Sequence, residues 1–309
     1  MRVQKDILHP DFWACTGDDV QDAFEVKIQH ILMQLWINSN MKVLLVSPNT
    51  ESLNMPVYPV GMHLVADAVL NSGHEALTVD MFEHRDPWTV LETRVQDFQP
   101  DLVGVSIRNI DDQSLEDTHF LLEGSREVVR GLRSLTSAPI VLGGAGYSIF
   151  PDSALAYLEA DMGLAGDGEV TLPALLQAME GRIGYDAVPG LYRSGIGRVG
   201  QMEAGADLDF CPLPRPARLD ASRICRDDFW MPYQTRRGCP MDCSYCSTGR
   251  IEGRAVRQRN VSRVLVNLRQ FQEEGVERIF FVDNTFNLPR QYAQKLCQGM
   301  IQAGLDLAW

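Results

Sequence analysis

Arg237-Gly238-Cys239-Pro240-Met241-Asp242-Cys243-Ser244-Tyr245-Cys246 places three cysteines in C-x3-C-x2-C spacing on one short loop. Thiolates so spaced can hold three irons of a [4Fe-4S] cluster and leave the fourth iron open. An open iron is a place for chemistry, whereas clusters held by four cysteines mostly move electrons. The alternative is a structural zinc site, but zinc favours C-x2-C pairs and four ligands. No second pair of Cys or His lies nearby, and the next cysteine, Cys297, falls inside an expected helix. The loop follows a segment at 231–236 that reads as a strand. Beyond it, 261–274 and 291–303 read as helices, 278–282 as a strand, and 305–309 as the opening of another. Strand–helix repeats of this kind build a (β/α) barrel with its chemistry on the loops after the strands. The cysteines fall after the first strand, as that geometry requires.

Upstream, short apolar runs at 43–47, 76–80, 102–107, 140–142 and 162–165 alternate with amphipathic segments at 61–71, 88–98, 118–135, 152–159 and 170–180. Near-continuous apolar strands separated by helices indicate a parallel sheet covered on both faces. The economical fold is an α/β, flavodoxin-like doubly wound domain of five strands over residues 41–181, which binds its ligand at the carboxyl ends of the strands. The loops at those ends are 47–49, 106–113, 143–151 and 166–169. Residues 182–232 read as a Gly- and Pro-rich linker with a small hairpin around 188–193, and 233–309 as the start of the barrel. Residues 1–40 stand apart as an N-terminal helical extension, with an amphipathic helix over 19–38. Met41 is an alternative natural start.

The 309 residues carry a net charge of −13, which argues against nucleic acid or an anionic membrane as the main partner, since phosphate binding needs clustered Lys and Arg. The uncharged run at 28–41, broken by His30, Gln29 and Asn38, is too short to span a bilayer. Seven cysteines, three of them in one loop, do not make a disulfide framework and point to the cytoplasm.

The cysteine loop, with Tyr245 just before the third cysteine, resembles the radical S-adenosylmethionine (SAM) superfamily. The upstream domain resembles the cobalamin (B12)-binding domain of one subgroup of that superfamily, and four segments carry the likeness. They are Pro59-Val60-Gly61-Met62-His63-Leu64-Val65-Ala66, Gln99-Pro100-Asp101-Leu102-Val103-Gly104-Val105-Ser106, Ala138-Pro139-Ile140-Val141-Leu142-Gly143-Gly144, and Gly166-Asp167-Gly168-Glu169 followed by Thr171 and Leu172. The resemblance implies a cobalamin-binding domain followed by the first part of a partial (β/α)6 radical SAM barrel. The sequence ends short of six units, so a fragment of a longer protein or a truncated gene is expected.

Residue by residue, the resemblance implies that Cys239, Cys243 and Cys246 hold the cluster, that Tyr245 lies against the SAM adenine, and that Asp283 and Asn284 hold its amino group. A helix-capping role for Asp283 stays open. Ser106, Asn109, Gly143, Gly144, Gly166, Gly168 and Glu169 are the candidate cobalamin contacts, the glycines because they permit close backbone approach. The D-x-H-x-x-G motif that supplies a cobalt-ligating histidine elsewhere is absent, since Ser47-Pro48-Asn49 follows the first strand. Asp117-Thr118-His119 has Leu122 where that motif wants Gly, so His119 reads as a helix-start residue, and cobalt bound without a protein histidine is expected. Arg250, Arg254, Arg257 and Arg259 either anchor an anionic substrate or pair with local acids.

The implied activity is reductive cleavage of SAM to a 5′-deoxyadenosyl radical and methylation of an unactivated carbon of a small-molecule substrate. It would be fed by an external donor of flavodoxin or ferredoxin type. Radical-driven oxidation or cyclisation, and a non-catalytic corrinoid-binding fragment, are the alternatives. A methylthiotransferase is disfavoured, because no Cys stands between Cys15 and Cys211.

Overall fold

Val43, Leu44, Leu45 and Val46 are all buried, which is why the first strand reads as an unbroken apolar run: it lies inside a sheet covered on both faces, with a strand on each side. In the computed structural model, which describes residues 40–51, 58–112, 114–201, 205, 207–215, 224 and 229–309, this strand is β1 (Lys42–Ser47). The expected helical extension lies outside the described residues. After β1 come α1 (Val60–Asn71), β2 (Glu75–Asp80), α2 (Pro87–Phe98), β3 (Leu102–Ser106) and α3 (Leu122–Leu135). Then follow β4 (Ile140–Gly143), α4 (Ala145–Ile149), α5 (Pro151–Leu158), β5 (Met162–Leu164), α6 (Gly168–Met179), β6 (Leu191–Arg193) and β7 (Gly197–Arg198).

The sheet order is β2-β1-β3-β4-β5-β6-β7, with the first five strands parallel and the last two antiparallel. Alternate side chains of each strand face opposite layers. Val43, Leu45 and Val141 pack with Met62, Val69, Leu172 and Leu175 of α1 and α6. Leu44, Val46, Val103 and Leu142 pack with Leu91, Val95, Val129, Leu132 and Leu158 of α2, α3 and α5. The result is the expected flavodoxin-like order, extended by two strands. The expected hairpin is therefore part of the sheet: β6 pairs along β5 and covers what would otherwise be an open edge. The linker begins after β7 rather than at residue 182.

The helix expected from Thr118 starts only at Leu122. Asp112 Oδ1 accepts the N–H groups of Ser114 and His119, and Asp111 and Phe120 form an isolated bridge, so side-chain bonding competes with helix there. His119 thus sits in the loop before α3 and not on the helix. The fourth-segment turn shifts the other way, since α6 begins at Gly168.

The second half contains β8 (Met231–Tyr233), β9 (Arg236–Arg237), α7 (Thr248–Ile251), β10 (Arg257–Gln258), α8 (Val261–Glu273), β11 (Ile279–Phe281) and α9 (Arg290–Gln302). Parallel pairing of β8 with β11, and a parallel bridge from Arg278 to Ala308, are the strand–helix repeats of an opening barrel. Tyr233, Phe271, Leu268, Ile279 and Leu296 form their core. The expected single strand at 231–236 breaks after Tyr233, and Arg236–Arg237 pairs antiparallel with Arg257–Gln258. Among the described residues no helix is long and apolar enough to cross a membrane.

Gly144 has φ +99°, and a Cβ there would lie 2.5 Å from the Ile107 carbonyl oxygen. Both the left-handed backbone and the backbone neighbour forbid a side chain. Gly144→Ala is expected to lower stability by roughly 1–3 kcal/mol in urea unfolding; an unchanged midpoint would count against this packing.

Candidate functional site

The carboxyl ends of β1, β3, β4 and β5 open into a cavity of about 470 Å³. Ser47, Ser106, Gly143, Gly144, Gly166 and Gly168 form its rim, and Leu45, Val65, Val141, Leu164 and Leu172 its apolar base. Its opposite wall comes from the barrel half, through Pro232, Gln234, Arg237, Glu252 and Val282. An apolar base with a few polar groups and glycines at the rim fits a large, flat ligand laid across the strand ends. A Cβ on Gly168 would lie 2.7 Å from Val65, so this turn has no room for a side chain.

Six of the seven expected rim residues meet in this cavity: Ser106, Gly143, Gly144, Gly166, Gly168 and Glu169. Asn109 does not. It lines an adjoining cavity of about 240 Å³ with His119, while Asn49, Ser106 and Arg108 line both. Gly146 of α4 packs against the same loop, where a Cβ would lie 3.0 Å from the Arg108 carbonyl oxygen and 3.2 Å from the Asn109 carbonyl carbon. Among the described residues no histidine lines the larger cavity.

Glu169 lines the cavity, but its carboxylate is committed. Arg237 Nη2 donates to Glu169 Oε1 at 2.5 Å, and Arg237 Nη1 donates to Glu169 Oε2 at 3.2 Å and to Asp167 Oδ1 at 2.9 Å. Arg257 also pairs with Asp167. All of these side chains are largely buried, with Glu169 only 4% and Arg237 9% exposed. Burial opposes charge on Arg237, and the Glu169 and Asp167 carboxylates overcome it, so its pKa is raised. Burial likewise pushes Asp167 up, but Arg237 and Arg257 outweigh it and hold its carboxyl below the usual range. This cluster joins the sheet domain to the residue two positions before the first cysteine.

Asp283 is also committed. Its Oδ1 accepts the N–H groups of Thr235 at 2.7 Å and Arg236 at 2.9 Å, and its Oδ2 accepts from the Thr235 hydroxyl and the Arg236 guanidinium. Its side chain is 1% exposed, and it pins the turn between β8 and β9 instead of capping a helix. The Arg236 guanidinium lies over the rings of Tyr292 and Phe286, 4.9 and 5.4 Å from their centroids. Asn284 is exposed, with Nδ2 bonded to Glu252 and Oδ1 accepting from the Thr248 hydroxyl at 3.2 Å.

On the cysteine loop, Cys239 is buried while Cys243, Cys246 and Tyr245 are exposed. The Cys239 N–H donates to Gly253 O at 3.2 Å and the Cys246 N–H to Cys243 O at 3.1 Å. Cys246 Sγ lies 3.3 Å from Thr248 Oγ1, and the Thr248 side-chain and backbone hydrogen bonds lower its pKa, favouring the thiolate. Among the described residues no three His, Cys, Asp or Glu side chains converge on a single ion. Three thiolates that each take a different iron need no such convergence, so the donor set fits a cluster.

The arginine run resolves into pairings. Arg257 binds Asp167, Arg254 binds Asp242, and buried Arg259 donates to the carbonyls of Leu208, Cys211 and Pro212, fastening the linker. Arg250 is exposed. Sequence reasoning missed Arg237, Gln234 and Glu252. Arg237 stood inside the quoted loop, but nothing in its neighbours showed that Glu169 would reach it, and Glu252 carried no signal at all.

The B12 binding domain family matches residues 46–176. The chain is 25% identical over 312 residues to the tryptophan 2-C-methyltransferase of Streptomyces laurentii, covering 84% of this chain and 52% of that one. It is 26% identical over 278 residues to the hopanoid C-3 methylase of Methylococcus capsulatus, covering 86% and 50%. Among solved structures it superposes with TM-score 0.72 on TsrM, a radical S-adenosylmethionine methyltransferase from Kitasatospora setae with tryptophan and a SAM analogue bound. The two are 27% identical, and the match covers 85% of this chain and 51% of that one. The same enzyme has also been solved with cobalamin and a [4Fe-4S] cluster. The chain spans about half the length of these relatives.

Replacing Arg237 with Met leaves buried Glu169 without its cation and Asp167 with Arg257 alone. A loss of roughly 3–5 kcal/mol in denaturant unfolding is expected, and a loss under about 1 kcal/mol would show that the pair is dispensable. Because the Asp167 pKa is depressed on folding, its contribution is fully present above the ordinary value of 3.8 and is lost as pH falls through the lower folded value. Stability measured against pH is therefore expected to drop on the acid side of 3.8, and the Asp167→Asn variant to show a shallower drop.

Proposed function

We propose that the chain is a B12-binding-domain-containing radical SAM protein, the corrinoid- and cluster-binding part of a cobalamin-dependent methyltransferase acting on a small molecule. The observation that carries this reading is the shared cavity. The strand ends that would seat the corrinoid and the residues flanking the cysteine loop are two walls of one space. A [4Fe-4S] cluster on the cysteine loop with SAM would supply reductive cleavage of a sulfonium C–S bond, and cobalamin in the cavity would supply a methyl carrier.

The chain's own residues have separable tasks in this reading. Gly143, Gly144, Gly166 and Gly168 let the corrinoid approach the backbone, with Ser106 offering a hydroxyl at the end of β3. Cys239, Cys243 and Cys246 hold the three irons, and exposed Tyr245 offers an aromatic face to the adenine. With Asp283 taken up by Thr235 and Arg236, Asn284 is the residue of that pair left at the surface to meet SAM. The lack of a histidine on the cavity wall, among the described residues, supports cobalt held without a protein imidazole. Exposure of Cys243 and Cys246 supports electron delivery from an external flavodoxin- or ferredoxin-type donor in a reducing cytoplasm.

Anaerobic reconstitution with iron, sulfide and hydroxocobalamin tests the reading. About four irons and one cobalt per chain are expected, with 5′-deoxyadenosine and S-adenosylhomocysteine formed from SAM once the full-length protein is used. Cys243→Ala and Cys246→Ala are expected to lose the iron and keep the cobalt. Cobalt uptake with no iron in the unmodified chain would leave a corrinoid-binding fragment, and iron retained in both variants would remove the cysteines from the site.

A further inference from the structure

The segment from Gly238 to Glu252 carries all three cysteines, and its two ends meet at one side chain. Glu252 Oε2 accepts the Gly238 N–H at 2.8 Å, while the Glu252 N–H donates to Thr248 O at 2.8 Å. The same carboxylate accepts from Gln234 Nε2 at 2.7 Å through Oε1 and from Asn284 Nδ2 through Oε2. Every partner of the two oxygens is an N–H donor, an arrangement suited to an ionised carboxylate. Gln234 cannot turn its amide around without loss, because its Oε1 accepts from Arg237 Nε at 2.8 Å. Gly238 has φ +87° and no space for a Cβ beside the Ala255 carbonyl, so the chain enters the loop by one route.

The bonds continue in both directions. On one side, Arg237 joins Glu169 and Asp167 in the sheet domain. On the other, Asn284 Oδ1 accepts from the Thr248 hydroxyl, whose oxygen lies against Cys246 Sγ. A continuous polar chain therefore runs from Glu169, at the cavity rim of the sheet domain, to a cysteine sulfur.

We propose that Glu252 is a positioning residue that closes the cysteine loop on itself and ties it to the sheet domain through Gln234 and Arg237. The proposal rests on the reading that this loop holds the cluster, but the clasp is a property of the protein without it. A loop of this length loses entropy when its ends are joined, and the three converging donors offset that cost. The loop is then held in one arrangement before iron arrives, and hydrogen bonding near the sulfurs bears on cluster potential.

Hydrogen exchange on the full chain, without metal, tests it first. In Glu252→Gln an amide NH2 faces donors that the carboxylate accepted. Peptides covering Gly238 and Glu252 are expected to exchange about tenfold faster than in the unmodified chain, the scale of one lost charge-assisted hydrogen bond. Peptides from β1 and α1 are expected to be unchanged. After reconstitution, the EPR signal of the reduced cluster is expected to broaden and its midpoint potential to shift, with hydroxocobalamin still bound. Unchanged exchange in the loop would overturn the proposal. If Glu252→Gln fails to fold, seen as faster exchange in β1 as well, Gln234→Ala and Asn284→Ala each remove one donor. Local loosening of the same peptides then supports the clasp, and none overturns it. An unmodified chain that takes up no iron would overturn the cluster reading while leaving the exchange result to stand by itself.

Discussion

Arg237 holds a positive charge where little water reaches, and this is tolerable only because Glu169 and Asp167 lie against it. The consequences spread from that contact. The two carboxylates belong to the turn that opens α6, and the arginine immediately precedes Gly238, where the cysteine loop begins. Separating the two halves of the protein would take Arg237 from its two carboxylates, so the halves are held in register by their own ions. Buried ion pairs often add little net stability compared with apolar packing. What this one supplies is a direction and a distance, which apolar contact does not.

The barrel half repeats the device on a smaller scale. Asp283 stands at the end of β11 and reaches across to the amides of Thr235 and Arg236 after β8, with the Arg236 guanidinium filling the space between two rings. A strand end that would otherwise fray is fixed, and β9 can turn away to pair with β10. Asp283 thus acts on the cavity through the backbone it holds. The cavity wall made by Gln234, Arg237 and Glu252 follows from that turn.

Much of the fold was legible in the sequence because parallel strands buried on both faces must be apolar throughout, as at residues 43–46 and 102–105. The cysteine loop was legible because its chemistry lies in covalent spacing, which folding does not alter. Other features were hidden for equally physical reasons. The start of α3 depended on Asp112 capturing two amides, one of them seven positions away in sequence. The strands β6 and β7 were read as a small hairpin inside the linker and not as part of the sheet, since runs of 3 and 2 residues are too short to show a pattern. Asn109 and Glu169 both stood in family-like segments. What their side chains do was decided by α4 packing against the β3 loop in one case and by an arginine 68 positions away in the other. Glu252 could not have been found at all, because a residue whose role is to gather donors is defined by where those donors converge.

The central claim is that a corrinoid seated at the strand ends would lie across one cavity from the residues that flank the cysteine loop. It is tested most directly by EPR on the reconstituted chain with Co(II) cobalamin and the reduced cluster present together. Two paramagnets sharing that cavity are close enough to couple, so the account predicts dipolar broadening of both signals relative to samples holding either one alone. Spectra that are the simple sum of the two separate species would place the centres too far apart to share a cavity, and would contradict it.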